Sequence, residues 1–89
     1  MREEFKLIGL NKRANGAYAT VECGKEDWFH SDFDETKVSP EAQLSLWRMF
    51  KYSEENLWEV GPHTVTVEFS HYTNDVPINP IIVDVKIIL

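Results

Sequence analysis

The sequence predicts a mainly β domain with a single helix, in the order strand, strand, strand, helix, strand, strand. Three observations predict this class. Apolar and polar residues alternate in short runs near both ends of the chain, a Ser-Pro-Glu triplet in the middle marks the start of a helix, and turn-forming residues separate the runs. A chain of 89 residues can bury one core, so we expect residues 1–89 to form a single domain.

The first two strands are predicted to form a hairpin. Residues 5–9 alternate in character, and residues 18–23 continue the pattern with small apolar side chains on one face. The Asn15-Gly16 pair between them favours positive φ and therefore a tight turn. We expect the tip of this hairpin to carry the two adjacent bases Lys12 and Arg13.

Residues 28–33 are rich in aromatic side chains and are predicted to form a short third strand that ends in an acidic segment. His30, Asp32 and Asp34 fall on every second position and would share one face of an extended chain. That spacing suits a hard-metal or acid–base grouping, but it is also the alternation of any half-exposed strand. Since the sequence offers no obvious further ligand, we expect no metal site here.

The strongest local signal marks a helix from Pro40 to about Tyr52. Ser39 is a good N-cap, proline suits the first helical position, and an acid follows near the positive end of the helix dipole. The apolar stripe that we expect to face the core consists of Ala42, Leu46, Met49 and Phe50. Leu44 and Trp47 fall outside this stripe and are predicted to contact a partner.

Residues 53–62 are predicted to be a polar connection from which Leu57 and Trp58 pack back onto the domain. Two strands follow, at 64–70 and 81–89, because apolar residues take every second position in both. The polar, proline-containing residues between these strands are predicted to form a connection without strands of its own.

This order of elements is typical of a small five-stranded OB-like barrel, in which a helix between the third and fourth strands closes one end. Closure would also remove exposed sheet edges. Because the third strand is short, a four-stranded sheet with one packed helix stays open as an alternative.

Residues 61–69 and 72–86 resemble the C-terminal OB domain of ATP-dependent DNA ligases, and residues 9–17 are similar to the first hairpin of that domain. In the ligases an Arg in the connection helps to orient the triphosphate of ATP, whereas the matching position here is Ile78; the final basic position is kept as Lys86. The nucleotidyltransferase domain and its lysine nucleophile are not among these residues. The resemblance therefore implies shared shape or ancestry and no ligase activity.

The charge of the chain disfavours anionic partners. Nine Lys and Arg against fifteen Asp and Glu give a formal charge of −6, which repels phosphate backbones and anionic lipid but favours a basic protein. The same charge would also simply keep a small domain in solution.

The single cysteine, Cys23, cannot form an intrachain disulfide and is expected to be a small core residue. The sequence has no apolar run of membrane-spanning length. We therefore expect a cytoplasmic protein and no membrane partner.

The sequence holds no recognisable catalytic motif: its four glycines form no phosphate loop, and one cysteine cannot begin a zinc site. We therefore expect a binding module without enzymatic activity or cofactor. The first hypothesis is an accessory or inhibitory protein, of a kind phages encode, that contacts a basic protein of nucleic-acid metabolism. Its predicted contact residues are Asp32, Asp34, Glu35, Leu44 and Trp47.

The second hypothesis is direct binding of single-stranded DNA. The residues predicted to follow the DNA backbone are Lys12, Arg13, Lys25 and Lys86. The residues predicted to stack on bases are Tyr18, Trp28, Phe29 and Tyr72. Aromatic rings exposed on the second and third strands beside the basic hairpin tip would favour this hypothesis.

Overall fold

The structure is a computed structural model that describes residues 1–24, 26–52 and 63–86. Within these residues it has one helix, α1 (Pro40–Tyr52), between the third and fourth strands. The strands are β1 (Arg2–Arg13), β2 (Gly16–Glu22), β3 (Trp28–Asp32), β4 (Thr64–Glu68), β5 (Tyr72–Thr73), β6 (Val76–Pro77) and β7 (Ile81–Lys86).

Five of the strands form one antiparallel sheet in the order β3-β2-β1-β4-β7, and β5 pairs with β6 in a separate ribbon. The prediction of a mainly β domain with one helix is confirmed. β3 and β7 stand at the two ends of the order, and no pairing between them closes the sheet into a barrel within the described residues.

The hairpin of β1 and β2 is confirmed, but its turn is shorter than the residues 11–16 that we expected from the sequence. Arg13 pairs with Gly16, so that Ala14 and Asn15 alone form the loop. Gly16 has a φ of 148°, a conformation that glycine adopts without a Cβ clash. Lys12 and Arg13 are the last two residues of β1, next to this loop, but the alternation of the strand sends their side chains to opposite faces.

One face of the sheet covers the core. Leu7, Val21 and Val65 are buried on it, and α1 adds Leu46 and Met49 from above. The other face, which we call the outer face, carries polar and charged side chains that alternate with these residues. The sheet is therefore packed on one side only, as is common for antiparallel sheets.

The helix begins and is oriented as the sequence predicts. Ser39 caps it, since the Ala42 N–H donates to Ser39 Oγ at 3.3 Å and the Gln43 N–H donates to the Ser39 carbonyl at 2.8 Å. Leu44 and Trp47 lie outside the buried stripe and are exposed, as predicted.

Before the helix, residues 37–39 cross to the far edge of the sheet. The Ile82 N–H donates to the Lys37 carbonyl at 2.9 Å, and the Ser39 N–H donates to the Ile82 carbonyl at 2.8 Å, which makes a short parallel bridge at Val38. This crossing covers the edge of β7 around Ile82 and ties the start of α1 to the sheet.

The regular alternation predicted for the last strand is wrong. Val67 pairs with Ile82 but Thr66 pairs with Asp84, so Val83 is an extra residue in β7. Because this bulge shifts the alternation by one, Ile82 is buried and Val85 also packs against the core.

The polar connection before β7 has its own structure, contrary to prediction. It forms the ribbon of β5 and β6, whose two-residue turn places Asn74 at a φ of 51° and Asp75 at a φ of 66°. Asn and Asp tolerate this left-handed conformation better than other non-glycine residues.

The predictions for residues 53–62, including Leu57 and Trp58, lie outside the described residues. Among the described residues, no helix has the length and apolar character needed to cross a membrane.

Candidate functional site

Two exposed surfaces contain several of the predicted contact residues, and the first lies on the helix. Leu44 is 63% exposed and Trp47 is 43% exposed. Both line one open groove together with Glu35, which precedes the helix. We call Glu35, Leu44 and Trp47 the helix patch. The Trp47 ring is held in place because it packs edge-on against Phe33, with ring centroids 4.9 Å apart.

Negative charge borders the helix patch. Asp34 accepts hydrogen bonds from the side chain of Thr36 and, at 2.8 Å, from its N–H, and these bonds lower the pKa of the Asp34 carboxyl below its usual value. Asp34 is therefore ionised at neutral pH, and the exposed Glu35 follows it in the sequence. An exposed apolar pair beside fixed carboxylates can bind a partner that is both apolar and basic.

The second surface lies on the outer face of β1, β2 and β3. The Arg13 Nε lies 2.7 Å from Asp32 Oδ1, and the Arg13 guanidinium lies over the Tyr18 ring at 4.3 Å. The Tyr18 ring contacts His30 edge-on, with centroids 4.8 Å apart, and His30 Nδ1 shares a 3.0 Å hydrogen bond with Thr20. We call Arg13, Tyr18, His30 and Asp32 the outer cluster. It joins residues that the sequence analysis assigned to different hypotheses.

A row of side chains crosses the same face. It contains Trp28, Glu22, Lys6, Thr64 and Lys86, one from each strand of the sheet. Trp28 is 57% exposed and Lys86 is exposed at the other end of the row. Lys6 was not among the predicted contacts. The alternation of Lys6 with Phe5 and Leu7 in the sequence predicts that Lys6 lies on the outer face. Its place in this row depends on β1 being the middle strand of the sheet, which the sequence does not show.

The remaining predicted DNA contacts do not join these surfaces. Phe29 faces the core, where its ring packs at 6.4 Å from that of Phe5. The Tyr72 hydroxyl donates a hydrogen bond to Glu3 on the ribbon side of the domain. Lys12 faces the helix, with its ammonium 5.9 Å from the Phe50 ring. Lys25 lies outside the described residues.

The outer face is not a basic surface. Its acids are Glu4, Glu22, Asp32, Glu68 and Asp84. Its bases are Arg2, Lys6, Arg13 and Lys86. Two of these bases are engaged by carboxylates, because Arg2 Nη2 lies 2.7 Å from Glu68 and Arg13 pairs with Asp32. A face with this balance has no excess positive charge to hold a phosphate backbone.

The described residues do not bring His30, Asp32 and Asp34 into one site, and Cys23 lies in surroundings that oppose ionisation of its thiol. Burial, with Asp27 as a secondary cause, raises the pKa of the Cys23 thiol, which disfavours the nucleophilic thiolate. His30 and Asp32 bond to Thr20 and Arg13 instead of sharing a site with Asp34. Among the described residues, no three His, Cys, Asp or Glu side chains are placed to hold a metal ion together.

Comparison with protein-family models, curated proteins and solved structures finds no match for this chain. The resemblance to the OB domain of DNA ligases therefore stays a prediction.

The bond from Tyr72 to Glu3 gives a testable pH dependence. A carboxylate acceptor favours the protonated phenol and raises the pKa of Tyr72 to about 12. The bond therefore stabilises the fold fully below the ordinary phenol pKa of about 10, and this contribution disappears as the pH rises through the raised value. In a pH-jump titration of phenolate absorbance, we expect one component near pH 12 that Glu3→Gln moves towards 10.

Tyr72→Phe is the control for this titration and should remove the late component altogether. A wild-type titration in which every phenol ionises near 10 would show that Tyr72 is not held by Glu3.

Proposed function

We propose that this chain is a non-enzymatic binding module that acts by protein contact on a basic partner. The observation that carries the proposal is the helix patch, in which exposed Leu44 and Trp47 share a groove with Glu35 on a chain of net charge −6. Large apolar side chains at such a patch supply contact energy, and the surrounding carboxylates select partners by charge.

The partner class follows from the same charge. Proteins that bind nucleic acid present basic grooves, so an acidic domain with an apolar anchor suits them as an accessory or inhibitory protein. We place the partner in nucleic-acid metabolism on this ground. The anchor would enter an apolar site on the partner while the carboxylates face its Lys and Arg side chains.

We also propose that the domain is related in shape to OB barrels and so to the ligase domain. The pairing of β1 with both β2 and β4 and the position of α1 between β3 and β4 support this relation. The parallel bridge between Val38 and Ile82 supports it further, because it brings the chain after β3 to the last strand.

A second candidate function is direct binding of single-stranded nucleic acid by the outer face. The specific observation in its favour is the exposed Trp28 ring with Tyr18 and His30 on the same face, next to Arg13. Its charge balance weighs against it, since carboxylates match or outnumber the bases there.

The first proposal predicts which surface captures proteins. Immobilised wild-type protein in nuclease-treated extract of the source cells should retain basic proteins, and the double variant Leu44→Ser with Trp47→Ser should lose them. Truncating an apolar anchor in an interface commonly lowers affinity by about tenfold or more. Bound proteins are identified and quantified by mass spectrometry.

Ile81→Ser is the matched control, since Ile81 is an apolar residue on β7 that is 38% exposed and lies away from the helix patch. Equal retention by all three proteins would contradict a role for the helix patch.

The two candidates differ in their response to DNA. We expect no measurable binding of fluorescent oligo(dT) at moderate salt, because the outer face lacks excess positive charge. The second candidate instead requires binding that weakens steeply with salt. In that case Arg13→Ala should reduce the salt slope by about one, whereas Lys12→Ala, on the opposite face, should leave it unchanged.

Salt-dependent binding with this difference between the two variants would replace the first proposal with the second.

A further inference from the structure

The outer edge of β3 has backbone groups that point away from the sheet. The Phe33 N–H donates to Ala17 at 3.0 Å and the Cys23 N–H donates to Asp27 at 2.9 Å, so the odd-numbered residues of β3 are the ones that bond to β2. The N–H groups of Trp28, His30 and Asp32 therefore point to the open side. All three residues are exposed.

The two edges of the sheet differ in whether another segment of the described chain bonds to them. At the β7 edge, Ile82 bonds to Lys37 and Ser39 of the crossing segment. At the β3 edge, the outward backbone groups of Trp28 and His30 meet no partner within the described part of the chain. An uncovered strand edge is a template for a further strand.

Charge determines which strand can pair there. Residues 26–36 contain five acids and neither Lys nor Arg. These acids are Glu26, Asp27, Asp32, Asp34 and Glu35, and they lie at both ends of β3. Asp32 is already paired with Arg13, so the other four carry the attraction for a basic strand. A second copy would bring five more carboxylates to the same edge, so edge-to-edge pairing of two copies is disfavoured. A segment rich in Lys or Arg gains from the same field.

Apolar surface flanks the edge on both faces of the sheet. Trp28 is 57% exposed on the outer face. On the helix side, Phe33 follows β3 directly and packs against Trp47 of the helix patch. Side chains of an added strand alternate between the two faces, so one set would contact Trp28 and the other would contact Phe33 and Trp47.

We propose that the β3 edge binds an extended, basic segment of the partner protein as an added strand. This inference rests on the proposed function and names its mode of recognition. The backbone groups of Trp28 and His30 supply the hydrogen bonds, the acids at both ends of β3 select Lys and Arg, and the helix patch continues the contact beyond the edge.

The probe is a blocked peptide of about seven residues with alternating Lys and Val, long enough to span the edge. Its matched control has the same sequence with N-methyl groups on two adjacent central residues, which remove a donor from each edge of the strand and keep the charge. We expect the unmodified peptide to shift the amide resonances of Trp28 and His30 most. The N-methylated peptide should bind about tenfold more weakly or worse.

A pair of protein variants tests the same bonds from the other side. His30→Pro removes an outward N–H but no bond to β2, whereas His30→Ala keeps that N–H. We expect the proline variant to lose about tenfold in affinity relative to the alanine variant. If His30→Pro does not fold, as judged by its amide spectrum, the N-methylated peptide decides the question.

Two outcomes would overturn the inference. One is a failure of the unmodified peptide to bind, and the other is equal binding of both peptides with shifts confined to Leu44 and Trp47. Neither outcome removes the proposed function, which is judged separately by the capture experiment with the helix patch variants. If the unmodified peptide binds the β3 edge but wild type, the helix patch variant and Ile81→Ser retain the same proteins equally, the proposed function is overturned and the edge inference is not.

Discussion

The backbone bonds between residues 37–39 and Ile82 constrain the rest of the structure. They use both the N–H and the carbonyl of Ile82, at 2.9 and 2.8 Å. The helix begins one residue after Ser39, at Pro40. Ser39 Oγ also donates to the Val83 carbonyl at 3.2 Å, at the bulge of β7. One short crossing thus places α1 over the core and protects the β7 edge, whereas no segment among the described residues pairs with the outer edge of β3.

The β3 edge, the helix patch and the acids of residues 26–36 lie close together because of the path of the chain from β3 to α1. Because the chain leaves β3 through Phe33 and returns along α1, Trp47 packs beside the end of β3. The acids of residues 26–36 flank the same strand. The outer face, by contrast, neutralises its own bases with neighbouring carboxylates. The domain therefore places most of the acids of residues 26–36 and exposed apolar surface on one side, which favours protein contact over phosphate binding.

Local features were predictable from the sequence. Ser39-Pro40 marked the helix start, its periodicity separated Leu44 and Trp47 from the core, and alternation assigned the two faces of β2 correctly. What failed depended on contacts distant in sequence. The bulge at Val83 is defined only by pairing with β4, and which strand lies at an edge depends on the whole sheet order. The uncovered edge of β3 could not be seen before that order was known, although its acids and Trp28 could.

Amide hydrogen exchange on the free protein distinguishes the outer edge of β3, which no described segment covers, from the protected β7 edge. We expect fast exchange at Trp28 and His30, slow exchange at Phe29 and Ser31, and slow exchange at Ser39 and Ile82. Protection of Trp28 and His30 equal to that of Phe29 and Ser31 would show that the β3 edge is already covered and cannot accept an added strand.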